Sequence, residues 1–125
     1  MMKPIQIGLL GFGTVGTGVA KLLIENADII EERVGTRLNL KTIADIEIEK
    51  DRGISLDPGV MTTDAATVVD DPEIDIIIEM IGGEEIAKDL MLKAIGNGKH
   101  VVTANKALLA KHGNEIFEKA GEKGV

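Results

Sequence analysis

The 125-residue sequence predicts an α/β fold built on a doubly wound parallel sheet. Three observations carry that prediction. Short, nearly continuous apolar runs at 5–10 and 74–81 read as buried strands of a parallel sheet, and 100–103 as a further strand. Stretches with helical apolar spacing separate them, and glycines mark the changeovers. Strand and helix patterns that alternate in this way pack as parallel strands with helices on both faces, joined by right-handed crossovers.

Each element follows from local residues. Ile5 to Leu10 is the first buried-type strand, and a glycine turn follows it directly. From Thr14 the apolar residues Val15, Val19, Leu22, Leu23, Ile29 or Ile30 and Val34 recur at helical spacing, which predicts one long helix stopping at Gly35. Leu38, Leu40, Ile43 and Ala44 give a second strand ending at Asp45, completing a β-α-β unit. Residues 46–60 are charged and carry turn signals at Gly53 and Asp57-Pro58-Gly59, so they read as a surface loop. Thr63 and Asp64 cap a short helix through Val69 that ends at Asp70-Asp71-Pro72. Residues 74–81 form the clearest strand, closed by Gly82-Gly83. An acidic-first helix over 84–95 stops at Gly96-Asn97-Gly98, and His100 to Thr103 is the next strand. A last helical stretch runs from Ala107 to about Lys123 with a break at Gly113.

Composition narrows the function classes. A net charge of −7, with no Lys/Arg cluster interleaved with aromatics, argues against nucleic acid. The absence of cysteine excludes disulfides, thiolate metal sites and a cysteine nucleophile. His100 and His112 lack companions at metal-ligand spacing, so no metal site is expected. The Asp70-Asp71 and Glu84-Glu85 pairs read as helix-end charges, and Met80 and Met91 as core. Lys3 ahead of an apolar run superficially resembles a secretory leader, but Gln6 interrupts the run. No run reaches the roughly 18 apolar residues of a membrane span, so a cytoplasmic protein without membrane partners is expected.

Gly11-Phe12-Gly13-Thr14-Val15-Gly16 is a G-x-G-x-x-G turn in the context that gives it meaning, after a strand and opening a helix. In such a Rossmann-type unit the first glycine permits the tight turn. The second lets backbone approach a pyrophosphate, and the third allows close packing of the helix. The helix N-terminus then offers N–H groups and a positive dipole end to a diphosphate. Asp45 ends the second strand, where a carboxylate accepts from adenosine ribose hydroxyls and repels a 2′-phosphate. NAD is therefore favoured, although Lys50 and Arg52 lie close enough in sequence to leave NADP open. Asp45 follows Gly11 by 34 positions rather than the usual ~20, a surplus that the long first helix must absorb. Lys106 follows Thr103-Ala104-Asn105 at the carboxyl end of a strand, the edge where open α/β sheets bind ligands. A lysine held beside an oxidised nicotinamide can exchange a proton with a substrate oxygen, whereas an isolated lysine is more often a solvated surface charge.

Three segments in this order, Ile7 to Gly16, Asp75 to Gly83 and Gly98 to Ala107, resemble the amino-terminal domain of homoserine dehydrogenase over essentially the whole chain. The resemblance implies cofactor contacts from Gly11, Phe12, Gly13, Thr14, Val15, Gly16, Ala44, Asp45, Met80, Gly82, Thr103 and Lys106, with Lys106 catalytic. It implies reversible NAD(P)-linked interconversion of L-homoserine and L-aspartate 4-semialdehyde, on the route to threonine, methionine and isoleucine. Many relatives place arginine before the acidic residue to hold the NADP phosphate, and here Ala44 stands there. The chain stops at Gly124-Val125, where the alternation predicts another strand, so residues 1–125 are expected to be only the cofactor domain of a longer, homo-oligomeric enzyme. A fragment without the substrate and dimerising region should bind cofactor without turnover. Two rivals stand beside this reading. One is a glucose-fructose or inositol dehydrogenase-like oxidoreductase, whose Glu-Lys-Pro motif Ala104-Asn105-Lys106-Ala107 does not match. The other is a non-catalytic module that senses the cofactor.

Overall fold

A computed structural model of the chain describes residues 3–47, 53, 56–57, 59–81 and 84–125. The elements in order are β1 (Ile5–Leu10), α1 (Thr14–Glu25), α2 (Ala27–Val34), β2 (Leu38–Ala44), β3 (Met61–Thr62), α3 (Ala65–Asp70), β4 (Ile76–Glu79), α4 (Glu85–Gly96), β5 (His100–Thr103) and α5 (Lys106–Lys123). The five strands form one sheet in the order β3-β2-β1-β4-β5, and every pairing is parallel. This is the Rossmann-type α/β architecture.

Successive residues of a strand face opposite sides of the sheet, and here both sides are buried. Ile7 and Leu9 of β1, Ile43 of β2 and Ile78 of β4 pack with Ala20 and Leu23 of α1. Leu10, Ala44 and Ile77 face the other way, onto Val68 and Val69 of α3 and Ala94 of α4. The double burial explains why β1 and β4 read as unbroken apolar runs. At Gly8 an added Cβ would stand 2.5 Å from Val68 Cγ1, so the middle of β1 has room for no side chain beneath α3. The helix α5 packs on α4 rather than over the sheet centre, through Leu108 and Ile116 against Ala87, Met91 and Ile95.

Several expectations need correction. The long first helix is two helices, broken at Asn26 (φ −109, ψ 20), a residue whose side chain competes for backbone hydrogen bonds. Its predicted stripe is buried only in part: Leu23 is buried and Val19 and Ile30 pack against the core, whereas Val15, Leu22, Ile29 and Val34 are exposed, because the face toward the sheet runs through Gly16 and Ala20, whose small size lets the helix lie close against β1. The expected loop before α3 leads into a two-residue strand, β3, too short for a period-2 pattern to show. The strand expected over 74–81 is confined to Ile76–Glu79, where its parallel partners pair with it. Gly113 does not break α5; it is a buried helical residue whose missing Cβ leaves space beside the Phe117 ring. Met91 is core as read, while Met80 is only partly buried and turns toward the carboxyl edge of the sheet. Gly82, Gly83, Lys50 and Arg52 lie outside the described residues.

Candidate cofactor site

The chain runs outward from β1 through β2 to β3, then crosses back to β4, so the sheet order reverses between β1 and β4. Ligands of open α/β sheets bind in the crevice at such a switch, outside the carboxyl ends of the strands. Gly11 sits there with φ +93, a left-handed conformation in which its N–H donates to Ala44 O (2.8 Å). An added Cβ would meet Met80 O at 2.8 Å, so conformation and space both require glycine. Gly16, on the first turn of α1, would drive a Cβ to 2.1 Å from Gly11 O. Its role is to let the helix start against the turn itself rather than against the strand. Gly13, the N-cap of α1, differs from both. Its Cβ would point into open space with nothing within 4 Å, the position at which backbone lies open to a ligand.

The N-terminus of α1 carries no side-chain cap and no acidic residue in its first turn. Its leading amides precede the first helical bond, Thr17 N to Gly13 O (2.8 Å), so the positive end of the helix faces the crevice with no acidic residue in its own first turn. The residues therefore fit a dinucleotide. Phe12 takes no side-chain part in that cradle: its ring is buried in the core beneath α1, while its backbone N–H donates to Asp45 Oδ1 at 3.2 Å. Asp45 Oδ2 accepts from Glu47 N (3.1 Å), so the carboxylate ties the end of β2 to the glycine turn and is held in orientation by both bonds.

Two clefts share a wall made by Met80 and Ile81. The larger, about 470 Å³, is lined by Gly11, Gly13, Ala44, Asp45, Thr63, Ala65 and Leu90, with Ile46 and Ile86 at its mouth, 87% and 69% exposed. Apolar walls beside an oriented carboxylate suit a flat base with its ribose. The smaller, about 270 Å³, is bounded by Val15, Glu79, Ala104, Asn105 and Lys106. Lys106 is the first residue of α5 and exposed, positioned where Asn105 caps the helix by accepting from Leu108 N (3.1 Å). Thr14 and Val15 lie exposed on the first turn of α1 between the two clefts' glycine and lysine ends.

One residue of this edge escaped the sequence reading. Glu79 closes β4 with no exposed surface, its Oε1 accepting from Thr103 Oγ1 (2.6 Å) and its Oε2 from Ile81 N (2.7 Å). The available signal was a carboxylate at the end of the Ile76-Ile77-Ile78 run, since a buried charge requires partners. Its partner Thr103 is 24 positions away, and only the pairing of β4 with β5 brings them together. Among the described residues no group of three His, Asp or Glu side chains could hold a metal ion, and no helix is long and apolar enough to cross a membrane.

A five-stranded parallel sheet in this order, with a glycine turn at its switch point, defines a Rossmann-type dinucleotide-binding domain. Residues 11–125 match the family described as homoserine dehydrogenase, NAD binding domain. The chain belongs to that family. It is 49% identical over 124 residues to the homoserine dehydrogenase of Pseudomonas aeruginosa and 43% identical over 123 residues to that of Bacillus subtilis, covering 99% and 98% of this chain. The crystal structure of a homoserine dehydrogenase from Thiobacillus denitrificans superposes with a TM-score of 0.90 at 51% identity, over 98% of this chain and 28% of that one. A Staphylococcus aureus homoserine dehydrogenase structure gives 0.92 at 38% identity over 100% of this chain and 32% of that one. The chain spans 28% of the length of the two curated relatives.

Proposed function

We propose that this chain is the cofactor-binding part of a longer homoserine dehydrogenase that interconverts L-homoserine and L-aspartate 4-semialdehyde. The observation that carries the reading is one continuous edge. The glycine turn stands at its centre, Asp45 at one end and Lys106 at the other, with Met80 and Ile81 shared between the two clefts. The α1 amides and Gly13 hold the diphosphate. Asp45 takes the adenosine ribose and repels a 2′-phosphate; with Ala44 uncharged beside it, NAD is preferred over NADP. Met80 lines the approach to the nicotinamide, which supplies the hydride acceptor or donor when bound. Lys106 holds a proton at the substrate's reacting oxygen and releases or reclaims it as that oxygen passes between hydroxyl and carbonyl. The remainder of the relatives' length supplies the substrate site and a homo-oligomer interface, and the enzyme works in the cytoplasm.

The test is Lys106→Ala in the intact gene product. Homoserine-dependent kcat is expected to fall about 100-fold or more, with NADH affinity within about twofold of the parent. A kcat equal to the parent's would return Lys106 to the role of a surface charge.

A further inference from the structure

We infer that Glu79 is a positioning residue for Lys106, acting through the hydroxyl of Thr103. The inference rests on the catalytic reading of Lys106 and names what holds that lysine in place.

The geometry is a directed relay. Thr103 Oγ1 accepts from Asn105 N at 3.0 Å, so its own proton points the other way, to Glu79 Oε1 at 2.6 Å. The second oxygen of Glu79 accepts from Ile81 N at 2.7 Å. Two donors converge on two oxygens, a set that a carboxylate matches directly, whereas an amide has one acceptor oxygen and would have to turn the Thr103 hydroxyl away from its present direction. The same short chain continues into the helix: Asn105 Oδ1 accepts from Leu108 N (3.1 Å), and Lys106 N donates to Ala104 O (3.0 Å). Thus the carboxylate fixes the Thr103 rotamer, Thr103 fixes the turn at Asn105, and that turn sets the first residue of α5, which is Lys106. At its other oxygen Glu79 fixes Ile81, a wall of both clefts.

A sheet of this kind needs no buried carboxylate for stability at this point. Burying one costs free energy that packed apolar atoms would not, and such groups concentrate where geometry must be held. Lys106 is exposed at the first position of α5, so the turn that starts the helix sets where it stands.

The experiment uses the intact gene product carrying Glu79→Gln, Thr103→Val, Thr103→Ser or the first two combined. Glu79→Gln and Thr103→Val are each expected to lower kcat roughly 10- to 100-fold while the KM for cofactor moves far less, since misplacement of a reacting group by about 1 Å is enough for such a loss. Thr103→Ser, which keeps the hydroxyl, should recover most of the kcat that Thr103→Val loses. The double variant should be no slower than the slower single one, because both remove the same link. Amide hydrogen exchange at Asn105 and Leu108 should accelerate in Glu79→Gln and Thr103→Val and stay slow in Thr103→Ser. Additive kcat losses, a parent-like kcat in Thr103→Val, or unchanged exchange at Asn105 would overturn the inference. Should Glu79→Gln fail to fold, Thr103→Val carries the same test. If Lys106→Ala proves harmless, the functional reading falls, and the amide exchange alone still decides whether Glu79 sets this turn.

Discussion

The three glycines of the turn share a motif but not a function, and the difference lies in where a Cβ would go. Gly11 is demanded by its positive φ and by Met80 O, Gly16 by Gly11 O, and Gly13 by nothing within the protein. At the N-cap of α1, on the wall of the larger cleft, that open space lets a ligand approach the backbone. Gly13→Ala is therefore expected to leave the melting temperature essentially unchanged while weakening NADH binding by about tenfold or more, an effect of about 1.4 kcal/mol. Gly16→Ala should instead lower the melting temperature, because 2.1 Å from a carbonyl oxygen cannot be relaxed without moving the helix. Thermal melts of the two variants, paired with calorimetric NADH titrations, separate the roles. Equal loss of stability in both would show that Gly13 serves the fold rather than the cofactor.

At the scale of elements, the turn between α3 and β4 is the clearest case of side chains holding backbone. The Lys99 ammonium is buried there and donates to Asp71 O and Ile74 O, while Lys41 on β2 pairs with the side chains of Asp71 and Glu73. The hydrogen bond from Lys41 holds the Asp71 carboxyl below its ordinary 3.8, with partial burial opposing. A carboxyl so lowered adds stability above the unfolded value, and that stability disappears as pH falls through the folded one. Lys41 is raised above its ordinary 10.5 by the same partner, so on the alkaline side the stabilisation is lost as pH rises through the raised value. Lys41→Met should thus cost up to about 1 kcal/mol in denaturant unfolding near neutrality. The gap between parent and variant should close in acid below the ordinary carboxyl range; a gap that persists there would mean that packing of the lysine stem, rather than the ion pair, is responsible.

At the scale of the molecule, the reversal of strand order between β1 and β4 places two clefts on either side of Met80 and Ile81. The 125-residue chain, taken alone, is expected to bind NADH in calorimetry and NADPH more weakly, and to show no homoserine oxidation. Tighter binding of NADPH would overturn the argument from Asp45. Turnover by the isolated chain would show that the substrate site is already contained in these residues.

Much of this was legible in the residues themselves. Strand β5 and the end of β2 just before Asp45 follow from local patterning, as do the glycine turn and the Asp64 cap of α3, whose side chain accepts from Ala66 N. These depend on neighbours a few positions away. What patterning could not supply is everything settled between distant residues. Which face of α1 packs was decided by close approach at Gly16 and Ala20, so that of the apolar stripe the sequence displays Leu23 is buried while Val15 and Leu22 stay exposed. β3 exists because Met61 and Thr62 pair with Ile43 and Ala44. The sequence by itself determined the alternating architecture, the glycine turn and the lysine at the strand end, since each is encoded by local conformational preference. Only the tertiary structure decided that Glu79 belongs to the site, because a hydrogen bond across 24 positions exists once β4 and β5 lie side by side and not before.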